Sequence, residues 1–285
     1  MLCALGSSLF YAVASVLQQK SASAEDNAHS LRLGLLTRLI QNPVWLLGVV
    51  ADVAGFALQF IALGHGTLVV VQPLLVSGLL FALPIGAKWA GLRLHWQDWA
   101  SAVAVCVGLS VFLTVARPAA GHNNVHVRIW VLLLTSATVV TAVLVVAALR
   151  SSPRRKAVFL SGAAGVIYGV AAALAKTSSH LLSRGVLHML THWQPYVLAV
   201  AGIVGMLVAQ SAFQSGALDA SLPTMTVVDP VVSIVIGAVA FGESIDSGLL
   251  ESSSEILALL VMAIGVFILA RSKAVLSVKE HPALP

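Results

Sequence analysis

The chain has 285 residues, 59% of them hydrophobic and only 9% charged, where a soluble domain carries about 25% charged residues. At a mean hydropathy of +0.96, a soluble globular enzyme is set aside, because it would expose apolar patches large enough to aggregate. The net charge of +5 comes from basic residues standing singly or in short groups between apolar runs; that is the pattern of topology signals, so no nucleic-acid partner is expected.

A spanning helix needs about 20 mainly apolar residues. In chain order, nine segments meet this condition: about 2–19, 43–64, 67–89, 98–117, 127–149, 157–177, 195–215, 220–241 and 254–271. Leu31 to Ile40 is apolar too, but it is short and broken by Arg32 and Arg38, so it reads as an interfacial helix. The first segment ends near Ala22-Ser23-Ala24, which resembles a cleavage site, but it lacks the basic n-region of a signal peptide. Cys3 and Cys106 lie inside apolar runs and read as small packing residues, with neither a disulfide framework nor a metal site between them.

Loop charge tests the count. With nine crossings, one face holds Lys20, Arg32, Arg38, Lys88, Arg93, Arg150, Arg154, Arg155, Lys156, Arg271, Lys273 and Lys279, and the other holds only Arg117, Arg128, Lys176 and Arg184. Basic residues gather on the cytoplasmic side, so the N-terminus is expected outside and the C-terminus in the cytoplasm. The Ala/Val-rich composition fits a bacterial inner membrane. Lys20, Lys88 and Lys176 stand at predicted helix ends, where snorkelling to the interface is expected. Glu243, with Asp246, Glu251 and Glu255, reads as part of a solvated outer loop.

The chain also echoes itself. Tyr11-Ala12-Val13-Ala14-Ser15-Val16-Leu17 answers Tyr168-Gly169-Val170-Ala171-Ala172-Ala173-Leu174. Gly55-Phe56 with Gln59 answers Gly205-Met206 with Gln210, and Gln72-Pro73 answers Asp229-Pro230. The matches keep their order and lie five crossings apart, so equivalent helices run in opposite directions. The expected architecture is an all-α membrane protein of two inverted four-helix repeats joined by a connector helix. Residues 1–120 form the first membrane repeat, 121–156 the connector helix and a cytoplasmic basic loop, 157–272 the second repeat, and 273–285 a cytoplasmic tail.

Ionised groups at mid-membrane are costly, about 2.5–3.5 kcal/mol on insertion scales, and so tend to face a cavity or a partner. Asp52 and Asp229 are the two acids placed there, and both could bind a cation or relay a proton. Gln59, Gln72, Gln210 and Gln214 are amides that could replace part of a solute's hydration shell, or serve as interhelical glue. Asp52 and Gln59 are two turns apart and share a helix face. Pro73 and Pro230 break their helices at matched positions, as the backbone of a midplane site does. His122 with His126, and His188 with His192, have a spacing that can hold a metal on a helix, but neither pair has a carboxylate partner, so the metal question stays open. There is no Walker-type loop and no Ser/His/Asp set, so neither catalysis nor a cofactor is expected.

These residues resemble the drug/metabolite transporter superfamily. Ala62-Leu63, then Gln72-Pro73-Leu74-Leu75, and in the second half Ala217-Leu218, Asp229-Pro230 and Gly242-Glu243, look like EamA-type repeats. Gly86 stands about where the first half would have its own Glu. The nine-helix layout, with Ser7-Ser8, Gln18-Gln19-Lys20 and the step from Gly55 to Gln59, is similar to the NIPA-type magnesium transporter branch. Phe56 occupies a position where that branch tends to carry an acid. The resemblance implies a secondary transporter of a small solute, with proton-coupled export of a metabolite or drug first. Magnesium or divalent-cation transport comes second, and a non-transporting membrane scaffold is the reading from another class. The expected partners are a small solute or cation and membrane lipid; monomer and homodimer are both open.

Overall fold

The computed structural model describes residues 1–22, 39–89, 96, 99–100, 103, 107, 118–119, 121–122, 125–215, 218–245 and 264. They are almost wholly helical. In chain order the helices are α1 (Leu2–Ala22), α2 (Pro43–His65), α3 (Leu68–Val76), α4 (Gly78–Trp89), α5 (Val127–Leu149), α6 (Pro153–Leu182), the short α7 (Val186–Leu190), α8 (Gln194–Gln214) and α9 (Leu218–Phe241). A two-residue ribbon pairs β1 (Pro118–Ala119) antiparallel with β2 (Ser244–Ile245).

Among the described residues, five helices are long and apolar enough to cross a membrane: α2, α5, α6, α8 and the stretch Thr224–Phe241 of α9. Two shorter apolar helical stretches, Leu2–Gln18 and Leu68–Ala82, fall where the first and third crossings were expected. This is a helical membrane protein. The expected fourth and ninth crossings, most of the interfacial segment and the C-terminal tail lie outside the described residues.

Local chemistry sets several helix limits. Asn42 opens α2 by accepting from the Val44 and Trp45 amides at 3.0 and 3.4 Å, and Pro43 follows as the first helical residue, where its missing N–H costs nothing. The predicted third crossing is divided instead of continuous. At Ser77 the amide turns to Leu74 O at 3.2 Å and the hydroxyl donates to the same carbonyl at 2.6 Å, so α3 ends at Val76 and α4 begins at Gly78. The sixth helix is longer at both ends than the sequence suggests. It starts at Pro153 and so takes in Arg154, Arg155 and Lys156, which sequence reading placed in a loop, and it runs on to Leu182.

Helix α6 is the centre of the assembly and packs against α2, α5, α8 and α9. It can be buried on nearly every side because small residues line it, from Ser161 through Gly165 to Ala175. Within a bilayer such residues let backbones approach, and packing then supplies the cohesion that hydrophobicity cannot. A Cβ at Gly169 would stand 2.7 Å from Val232 Cγ1 and 2.8 Å from Val232 Cβ on α9. Gly202 on α8 has no neighbour within 4 Å. Gly169→Ala should therefore destabilise the detergent-solubilised protein by about 1–3 kcal/mol through overpacking. Gly202→Ala should be neutral or stabilising by up to about 1 kcal/mol. Thermal melting of the two variants checks the contrast, and equal melting temperatures would contradict this α6–α9 contact.

Candidate functional site

Two polar centres are buried in the bundle. The first gathers residues from both halves of the chain. On α1, the Tyr11 hydroxyl donates to Gln59 Oε1 on α2. The Tyr11 ring lies over Gly55, where a Cβ would come within 3.0 Å of the ring. On α6, the Tyr168 ring lies over Gly205 of α8 in the same manner, 2.8 Å from where a Cβ would be. Asp52 on α2 and Asp229 on α9 are each within electrostatic reach of both tyrosines. The Gln18 carboxamide stands beside Asp52, and its Oε1 accepts from Gln210 Nε2 of α8 at 2.6 Å. Ser233 donates to Asp229 Oδ1 at 3.3 Å, one turn along α9.

Of the six residues proposed from sequence, Asp52, Gln59, Gln210 and Asp229 are thus linked through Tyr11, Gln18 and Tyr168. Gln72 and Gln214 are buried as well, 1% and 2% exposed, but no hydrogen bond ties Gln72 to the cluster among the described residues. Gln72 Nε2 and Gln210 Oε1 are buried without a hydrogen-bond partner among the described residues. Buried polar atoms are rarely left so. Pro73 and Pro230 are buried inside α3 and α9. Sequence reading quoted the two tyrosines only as repeat markers and Gln18 only as a family likeness. Their polar tips inside spanning segments were the signal to include them.

The second centre corrects two expectations. Lys176 does not snorkel and Glu243 is not solvated. Their side chains are 7% and 0% exposed and form an ion pair. Because α6 continues to Leu182, Lys176 stands more than a turn inside the helix, and its ammonium also lies 4.9 Å from the centre of the Phe241 ring. Gly242 turns the chain back with φ of +61°, a conformation glycine takes without cost, and the Glu243 amide returns to Gly237 O at 3.0 Å. The carboxylate then accepts from the Leu68 and Val69 amides at 3.1 Å each. Thr67 occupies the cap position of α3 without bonding through its side chain; a glutamate from the far half of the chain does that work. A carboxylate at a helix N-terminus meets both unpaired N–H groups and the positive end of the dipole. Beneath it, Phe241 meets Trp130 edge-on at 6.3 Å between ring centres, and Trp130 meets Trp193 at 5.5 Å.

Among the described residues no group of three or more His, Cys, Asp or Glu side chains could hold a metal ion. His188 and His192 lie ring against ring, 4.6 Å between centres. His122 instead belongs to the turn at Gly242, its amide donating to Phe241 O at 2.8 Å.

Apolar helices around buried acids, amides and phenols define a polytopic helical membrane protein. The chain is 31% identical over 275 residues to an uncharacterized protein of Corynebacterium glutamicum, the match covering 95% of this chain and 94% of that one. It belongs to that protein's family. No protein-family model and no solved structure matches it.

The bond between Tyr11 and Gln59 can be measured. Tyr11→Phe should cost about 0.6–1.7 kcal/mol, the span found for interhelical hydrogen bonds in membranes. Adding Gln59→Leu should restore part of that loss, since no buried amide is then left without its donor. A double-mutant cycle with strictly additive losses would contradict the bond.

Proposed function

We propose that the protein is a secondary transporter of the drug/metabolite type, moving a small organic solute across the cell membrane in exchange for protons. The observation that carries this is that Asp52 and Asp229, one from each half of the chain, are each within electrostatic reach of Tyr11 and Tyr168. A site shared by two halves and set deep in apolar helices is where inverted-repeat transporters bind their cargo. The reading includes nine crossings, an outer N-terminus, a cytoplasmic C-terminus and two inverted repeats. The matching Tyr11–Gly55 and Tyr168–Gly205 contacts support the repeats, because each occurs between the first two long helices of its half.

Chemistry favours an organic solute over magnesium. Mg²⁺ dehydrates reluctantly and wants near-octahedral oxygens. Here the two carboxylates lie within electrostatic reach of two phenols, and Gln210, which bonds the Gln18 amide, has a buried oxygen without a partner among the described residues; phenols and amides suit an organic solute. The carboxylates would carry the coupling proton, as intramembrane acids do in transporters. Nothing in the chain supplies ATP chemistry, so the ion gradient is the energy source.

A thermal-shift screen over metabolites and cations identifies the solute, since a ligand at about 100 times its Kd adds about 2.7 kcal/mol of stability. In liposomes holding a trapped pH dye, that solute should then drive proton movement. Asp52→Asn and Asp229→Asn should each lower the flux at least about ten-fold, the loss of one essential charge, while still folding. Unchanged flux in both variants removes the assigned site. Magnesium uptake without proton movement would favour the cation reading, and no flux of any kind would favour the scaffold.

A further inference from the structure

We propose that the Glu243 carboxylate, held in place by Lys176, is the lock of a gate: it ties the second half of the chain to the start of α3 at one end of the bundle, and the gate opens when the carboxylate leaves the α3 amides. The proposal rests on the transporter reading. It adds which end is held shut here and by what.

Three contacts join the halves at this end, and a fourth ties the connector to the second half. The Glu243 carboxylate sits on the first two amides of α3. The ribbon pairs Pro118 with Ile245 and Ala119 with Ser244. The His122 amide donates to Phe241 O at 2.8 Å. Gly64 near the end of α2 lies so close to Ser179 of α6 that a Cβ there would meet the serine hydroxyl. Lys176 reinforces the first of these from the second half, paired with the same carboxylate oxygen that Leu68 N reaches.

The contact between halves found further along the bundle is of another kind. Gln18 on α1 and Gln210 on α8 share one neutral amide bond, and Gln210 Oε1 has no partner among the described residues. Charge-assisted hydrogen bonds are roughly twice as strong as neutral ones. The tyrosines that face both aspartates lie between the two contacts: Tyr11 is about 10 Å along α1 from Gln18, and Tyr168 about 12 Å along α6 from Lys176, at 1.5 Å per residue. A strong tie stands on one side of the acids and a weaker one on the other.

Stability alone is a poor reason for such a pair, since apolar residues of the same size commonly hold a protein core as well or better. What a charged pair adds is a second favourable state. When water enters, both charges are hydrated, and the freed α3 amides can bond to water, whereas a parted apolar contact has nothing to gain there. Two packings of similar free energy are what switching between access states needs.

Accessibility to a reagent tests this without any solute. In a background of Cys3→Ser and Cys106→Ser, a reporter Ala173→Cys lies on the same face of α6 as Lys176, three residues away, at a position that is 0% exposed. Leu187→Cys, at a position 81% exposed beyond the same end of α6, marks the side and sets the full rate. A charged, membrane-impermeant methanethiosulfonate is added to proteoliposomes on the side where Leu187→Cys reacts. With the pair intact, Ala173→Cys should react at least ten-fold more slowly than Leu187→Cys. The double variant Lys176→Met/Glu243→Gln leaves no buried charge alone and should raise the Ala173→Cys rate at least ten-fold. An unchanged rate in folded protein overturns the gate, even if the melting temperature falls, because the pair would then be structural only. Should the double variant not fold, Glu243→Asp keeps the charge but shortens its reach. It must raise the rate at least three-fold, or the proposal is likewise overturned. Since flux is not measured, failure here leaves the transporter reading to its own experiment.

Discussion

A backbone amide buried inside a protein has no water to fall back on, so a helix end enclosed by other helices must be completed by the protein. The start of α3 is such an end, and Glu243 completes it from 174 and 175 residues away. That one requirement determines much else. The carboxylate has to be brought back by the turn at Gly242 and neutralised by Lys176. Phe241, held by Trp130, forms the floor on which the ammonium rests. The halves of the chain are tied together by the need to satisfy two N–H groups.

The deeper cluster depends on a different constraint, the space made by small residues. The tyrosine rings can pack this closely against neighbouring helices only because Gly55 and Gly205 carry no side chain, and Ser7 fixes the first of these contacts with a 2.7 Å bond to Gly55 O. Close approach in turn lets short-armed acids on α2 and α9 come near the same two phenols. Packing therefore comes before chemistry here: the small residues bring the helices together, and the acids occupy the places that result.

Much of this was legible in the sequence, for identifiable reasons. Apolar length and loop charge pointed to spanning helices because both follow from composition over 20-residue windows. Asp52 and Asp229 stood out because a charge inside an apolar run is expensive. What escaped was anything decided by helix ends. Lys176 was taken for an end residue because the polar run Thr177-Ser178-Ser179-His180 looks like a loop, whereas neighbours on α6 bury Thr177 and Ser178 and the helix runs on. Glu243 was grouped with acidic neighbours because its destination, the start of α3, is invisible to any local pattern. The break at Ser77 was hidden for a related reason: hydropathy is continuous across it, and only the bonds from Ser77 to Leu74 O divide the backbone.

The length of α6 has a consequence for the surrounding lipid. Thirty residues make a rod of about 45 Å, half as long again as the roughly 30 Å of hydrocarbon it crosses. Lys176 lies near one end of that rod, and the other end opens on Pro153-Arg154-Arg155-Lys156. Three cations at a helix N-terminus oppose its dipole, and the arrangement becomes favourable when anionic phosphates crowd around them.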